Sequence, residues 1–156
     1  MEIPLSTRLG TPIPNQQGAE IDPRRRPFFR QVLQARASLE VRSPETGQYN
    51  CHGLVFASRR TRILDPPLIE LILHEDGYRR IDENHAVVGD IVIYRYQGEI
   101  THAAVVTEVR DFGHGRPSFV FKVLSKWGDH AEYFHHPADV PTHFGTWEVW
   151  TERPER

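Results

Sequence analysis

The sequence carries a single cysteine, Cys51. A lone thiol excludes an intrachain disulfide and any zinc site built on several thiolates, which leaves Cys51 as either inert packing or chemistry. Long apolar runs are also missing: nothing approaches the ~18 residues of a membrane span. The opening residues, MEIPLSTRLGTPIPNQQG, have no apolar centre of the kind a secretory signal needs. Nor does charge of one sign prevail. Lys plus Arg number 19 against 21 Asp plus Glu, for a net charge of −2, so no long-range field draws in nucleic acid or an anionic membrane. These absences lead to the expectation of a soluble, cytoplasmic chain that engages neither.

What is present fits one domain, because 156 residues match the size of a single hydrophobic core. The 8 Phe, 5 Tyr and 3 Trp supply large buried areas to a chain of modest apolar content. Residues 1–27 are rich in proline and lack periodicity, which predicts an extended N-terminal arm whose first 20 residues are dispensable for folding. The basic run Arg24-Arg25-Arg26 reads as a solvated approach to a helix. From Phe28 to Leu39, Phe28, Phe29, Val32, Leu33 and Ala37 fall at helical spacing. A second helix is expected from the N-cap Asn50 to Thr61, burying Leu54, Val55 and Ala57, and a third from Leu68 to Leu73, after Pro66-Pro67 and ending near Gly77.

Beyond Gly77 the pattern becomes extended. IVIYRY (Ile91 to Tyr96) and THAAVVTEV (Thr101 to Val109) predict a hairpin. The turn DFGHG then leads to SFVFKVLS (Ser118 to Ser125), and TWEVWTE (Thr146 to Glu152) forms the last strand. Helices followed by strands indicate an α+β domain over residues 28–156, with N-terminal helices packed on an antiparallel β-meander.

Placed in the first turn of its helix, Cys51 faces unsatisfied backbone N–H groups and the positive end of the macrodipole, and both favour thiolate. His102 opens a strand and is followed by the small residues Ala103 and Ala104, so its imidazole can lie over a helix N-terminus without crowding it. Three stretches, YNCHGLVFA (Tyr49 to Ala57), GDIVIYR (Gly89 to Arg95) and THAAVVTEV, together resemble the NlpC-type branch of the papain-like cysteine peptidase and amidase superfamily. The resemblance covers about half of the chain.

It implies a papain-like catalytic domain, with Cys51 as nucleophile, His102 as general base, a peptide or protein substrate and no cofactor. Where the family has Asp and Ser beside its cysteine, this chain has Asn50 and His52. The family's third catalytic position falls near Ser125. The tail SKWGDHAEYFHH (Ser125 to His136) also resembles small uncharacterised bacterial proteins that share a Tyr-Asn-Cys start and a Ser-Lys-x-Gly end followed by an acid and a His. That comparison points to His135 and Glu132. Ser125, Glu132 and His135 are therefore the candidates to orient His102. The oxyanion is expected to rest on the Cys51 N–H, with Gln48 or Tyr49 as second donors.

The same tail supports two other readings. Asp129, His130, Glu132, His135 and His136 offer donors for a divalent ion, although their spacing is not that of a His-Glu-x-x-His helix and Pro137 follows at once. A histidine-rich solvated loop is the simpler expectation there. His52 beside the thiol favours a non-catalytic peptide-binding domain of the same fold. Among the aromatics, Tyr133, Phe134, Phe144, Trp147 and Trp150 are assigned to packing, which is also the first expectation for Trp127, with a wall of a substrate groove as its alternative.

Overall fold

The computed structural model describes residues 1–36, 38–111 and 119–155. Three α-helices and seven strands follow one another in the order α1 (Arg26–Ala35), β1 (Glu40–Val41), α2 (Cys51–Phe56), α3 (Pro66–Glu75), β2 (Arg79–Ile81), β3 (Ile91–Tyr96), β4 (Glu99–Asp111), β5 (Phe119–Lys126), β6 (Glu132–His135) and β7 (Thr146–Thr151). Short 3-10 turns at Pro23–Arg25, Glu83–His85 and Thr142–Phe144 join them. The strands make one antiparallel sheet in the order β1-β6-β5-β4-β3-β7-β2. The expected α+β class is therefore present.

Consecutive strands β3 to β6 do form a meander. The last strand does not extend it: β7 returns to the far side and pairs with β3, Val149 opposite Val92. That position suits β3, whose first four residues are all buried and need a neighbour on each edge to satisfy their backbone groups. The tail expected to be a solvated loop instead contributes β6, on which β1 pairs through Val41 and Tyr133. Alternation along the strands feeds two cores. Val92, Tyr94, Ala104, Val106, Val123, Trp127 and Tyr133 gather in one cluster. Ile91, Ile93, Ile100 and Ala103 join Ile69, Ile72 and Leu73 of α3 in the other. A third, smaller cluster seats Tyr49 and Leu54 against Leu124, which fixes α2 over β4 and β5.

Helix lengths depart from the sequence pattern. The second helix ends at Phe56 rather than Thr61, because Ser58 and Arg59 take left-handed φ angles of 51° and 63° and Arg59 N–H returns to the Gly53 carbonyl. The chain reverses there and runs back along α2, so closely that a Cβ on Gly53 would lie 1.8 Å from the Thr61 carbonyl oxygen. Helix α1 begins earlier than Phe28, behind a turn whose N-cap Asp22 accepts from Arg24 N–H, and it buries Phe29 while Phe28 stays exposed. Pro66 starts α3, as its fixed φ and missing N–H suit the first helical turn. Ala37, the last four residues of the DFGHG turn and Ser118 lie outside the described residues.

The N-terminal arm is extended, and it lends residues to the core and to the surface of α3. Ile13 is 2% exposed within the α3 core, and Gln16 bridges Arg62. Thr7 and Thr11 hydroxyls donate to the Glu75 carboxylate. A lack of periodicity hid this, since an extended segment buries single residues without any repeating face.

Candidate active site

Asn50 precedes α2 in extended conformation and caps it: its Oδ1 accepts from Gly53 N–H at 2.9 Å. The same oxygen accepts from Ile63 N–H at 3.2 Å, and Nδ2 donates to the Ile63 carbonyl at 2.8 Å. One amide thus fastens the start of the helix to the strand-like segment running beside it. Cys51 is the first helical residue, 8% exposed. Neither its N–H nor that of His52 has an acceptor among the described residues, so both remain available to a developing oxyanion.

Two imidazoles bear on the thiol. His52 is buried, and its Nδ1 approaches the Ile63 carbonyl at 3.3 Å. A carbonyl only accepts, so Nδ1 carries a proton toward it. His102 stands opposite Tyr94 in the β3–β4 ladder and packs against the Tyr94 and Phe144 rings at 5.3 and 4.5 Å between centroids. The Nε2 atoms of both rings are buried with no partner at ordinary hydrogen-bond geometry among the described residues. Burial pushes the Cys51 thiol up, but the charges of His52 and His102 and hydrogen-bonding interactions with both rings bring it well below its ordinary value. Burial lowers the His52 imidazole, which is outweighed by the Cys51 charge and hydrogen bonds to the thiol and Ile63, so its pKa is raised. Opposite shifts in two adjacent groups favour a thiolate beside an imidazolium.

Ser125 and His135 come together, but with each other. Ser125 Oγ lies 2.6 Å from His135 Nε2, and His135 Nδ1 lies 2.8 Å from the His136 carbonyl. The carbonyl fixes the tautomer: Nδ1 donates, so Nε2 accepts from the Ser125 hydroxyl. Trp127 Nε1–H completes the chain by donating to Ser125 Oγ at 3.0 Å. Neither Ser125 nor His135 supplies a hydrogen bond to His102. Glu132 is committed elsewhere, gripped by Arg59 at 2.6 and 3.0 Å, by Arg42 at 3.3 Å and by the Tyr49 hydroxyl. That hydroxyl is therefore not turned to an oxyanion, and the Gln48 side chain is exposed.

The five tail donors are likewise separated. Asp129 pairs with Arg25 at 3.2 Å, and His130 meets Phe29 edge to face with 4.2 Å between ring centroids. With Glu132 and His135 engaged as above, no cluster of three or more such side chains able to hold a metal occurs among the described residues.

Two participants escaped the sequence pattern. His52 counted there as a departure from the family motif, yet it faces the thiol as closely as His102 does in electrostatic terms. Lys126 is fully buried. It donates to the Thr46 carbonyl at 2.6 Å and to that of Gly128, with its ammonium 5.0 Å from the Tyr49 ring centroid. Burial pushes it down to about 8, partly offset by Asp129, Cys51 and Glu132. It ties the segment before Cys51 to the β5–β6 turn. The quoted Ser-Lys-x-Gly motif held this residue, but nothing in a lysine's identity announces burial.

Fold and site define an α+β protein with a seven-stranded antiparallel sheet and a buried thiol influenced by two imidazoles, His52 and His102. Comparison with family models, curated proteins and solved structures finds no match for the chain. No helix among the described residues is long and apolar enough to cross a membrane.

Proposed function

We propose that this chain is a cysteine-dependent peptidase or amidase of the NlpC-type papain-like kind, with Cys51 as nucleophile and His102 as general base. The observation that carries the reading is the thiol at the first position of α2, where the Cys51 and His52 N–H groups have no acceptor among the described residues, and, against burial, the charges of the nearby His52 and His102 lower its pKa. His102 accepts the thiol proton, and the thiolate attacks an amide carbonyl to form a C–S bond. The oxyanion rests on the free Cys51 and His52 N–H groups. Collapse expels the amine, which takes the proton from the His102 imidazolium. Water then adds to the thioester, giving its proton to His102; the acid leaves, and Cys51 recovers its proton. His52 supports the thiolate as a neighbouring positive charge, while Ser125 and His135 brace the scaffold around the dyad.

Iodoacetamide tests the reading. Alkylation should be fast well below about pH 8 and add one adduct to the intact mass. Cys51→Ala should abolish both alkylation and hydrolysis of peptide probes. A reaction rate that follows an ordinary free thiol, with its midpoint at about pH 8.5, overturns it. The second reading, a peptide-binding domain without catalysis, is favoured by the 8% exposure of Cys51. It requires peptide binding that survives Cys51→Ala with no turnover in the native protein.

A further inference from the structure

Helix α2 is too short to hold the nucleophile in place by itself. Its six residues fall below the length at which a helix persists by propensity, so the direction in which Cys51 points is imposed from outside. Two buried charges are placed to do so. Lys126 of β5 and Glu132 of β6 stand opposite one another in the β5–β6 ladder, which turns their side chains to one face of the sheet, and both are wholly buried.

Lys126 Nζ donates to the Thr46 carbonyl at 2.6 Å and to that of Gly128, and stands 5.0 Å from the centroid of the Tyr49 ring. Glu132 accepts from the Tyr49 hydroxyl, one residue before the N-cap Asn50. It also accepts from Arg59 Nε and Nη2 at 2.6 and 3.0 Å, three residues beyond the last helical residue. The two side chains therefore grip the chain before and after the helix. The N-terminal arm closes on the same leading segment: Gly18 N–H donates to the Gln48 carbonyl at 3.2 Å, and the Thr46 hydroxyl donates to Glu20 at 3.0 Å. A Cβ on Gly18 would lie 1.8 Å from the Gly47 carbonyl oxygen, so the segment has no room to shift toward the arm.

Both groups are charged at pH 7. Burial raises the pKa of Glu132, but hydrogen bonds from Arg59 and Tyr49 bring it below its ordinary value, and Lys126, pushed down by burial to about 8, keeps its proton. Buried charges of opposite sign are a poor source of stability, because desolvation offsets most of their attraction. What their bonds supply here is direction for the chain on either side of the thiol.

We infer that Lys126 and Glu132 are positioning residues for the nucleophile, holding the segments before and after α2 so that the Cys51 thiol meets His52 and His102. The inference rests on the hydrolase reading above, and it assigns Glu132 to the thiol rather than to the His102 ring.

Alkylation of Cys51 by iodoacetamide at pH 6 and pH 9.5, read as intact mass, gives a rate ratio that reports thiolate content, since the thiolate is the species that reacts. Tyr49→Phe removes one hydroxyl and no charge, so a change in it comes through position alone. Its ratio should fall by roughly threefold to tenfold, as the thiol moves toward its ordinary pKa of about 8.5. Lys126→Met should lose at least as much. Lys126→Arg keeps the charge but replaces a compact ammonium by a planar fork, and it should fall with Lys126→Met. Tyr49→Phe keeps the test open where the Lys126 variants misfold. Thr151→Val is the control for loosened packing: it deletes a buried hydroxyl that donates to Asp90 at 2.7 Å, and it should lower the urea midpoint and leave the ratio unchanged. Native ratios in Tyr49→Phe and Lys126→Arg, or an equal fall in Thr151→Val, overturn the positioning role. Cleavage of peptide probes by the native protein is measured alongside. An acidic thiol that cleaves nothing, with the ratio falling in Tyr49→Phe, condemns the hydrolase alone; cleavage with an unmoved ratio condemns the positioning alone.

Discussion

At the scale of single residues, the site is a competition between two imidazoles for one proton. His102 is held only by ring packing against Tyr94 and Phe144, whereas His52 is tethered to the Ile63 carbonyl through Nδ1. The two roles should separate in kinetics. His102→Ala is expected to lower kcat by about 10²–10⁴, the range for loss of a general base. His52→Gln should lower it less, but should move the pH midpoint of Cys51 alkylation upward, because a charge that favours the thiolate is gone. Stopped-flow alkylation of both variants across pH 5–9 checks this. An unmoved midpoint in His52→Gln would show that the neighbouring ring only packs. Motif and spacing singled out Cys51 and His102 as the candidate pair. The meaning of His52 was not, because sequence adjacency says nothing about which way a side chain on a helix's first turn faces.

At the scale of elements, α2 is short, six residues from Cys51 to Phe56, and far below the length at which a helix persists by propensity. Its position depends on what packs around it. Asn50 holds the start, and the reversal at Ser58 and Arg59 lays Thr61 against Gly53. Gly53→Ala should therefore destabilise the protein by about 2–4 kcal/mol, as its methyl meets the Thr61 backbone carbonyl. Gly77→Ala is the control. Its φ is 75° with nothing within 4 Å of the added carbon, so the loss should be limited to conformational strain of about 1 kcal/mol. Urea unfolding of both variants reads the difference, and equal midpoints would refute the close approach. Hydrophobic periodicity located α3 and strands β3, β4, β5 and β7 to within a few residues. It did not reveal β1, β2 or β6, which are short strands stabilised by pairing across the sheet rather than by their own pattern.

At the scale of the whole molecule, polar groups buried beneath the site link its parts. Glu132 joins β6 to Tyr49 and to the reversal after α2 through Arg59, and Lys126 joins the segment before Cys51 to the β5–β6 turn. His135 titrates within this framework. Burial pushes its pKa down to about 4 from the ordinary 6.5, against a raising hydrogen bond to His136. The folded protein thus keeps His135 neutral while the unfolded chain takes a proton below pH 6.5. Stability present above about pH 6.5 is lost as the pH falls toward 4, at a cost on the order of 3 kcal/mol. Urea titrations at pH 7, 5.5 and 4.5 should show this decline in the native protein and a shallower one in His135→Gln. An identical slope in the two would mean that His135 does not stay neutral in the folded state.

The sequence alone determined the α+β class and the central strands, because these rest on local periodicity and capping chemistry, and its motif spacing singled out Cys51 and His102 as the candidate pair. Tertiary structure decided what lies around that pair. Where β7 joins the sheet follows from the unpaired edge of β3, and the arm's place follows from scattered buried residues such as Ile13. Whether Ser125 and His135 reach His102 or each other is set by which strands lie side by side, and β5 and β6 are neighbours. A thiol's acidity depends in the same way on burial and on rings brought in from elsewhere in the chain. Such distances between residues far apart in sequence are fixed only when the chain closes around its core.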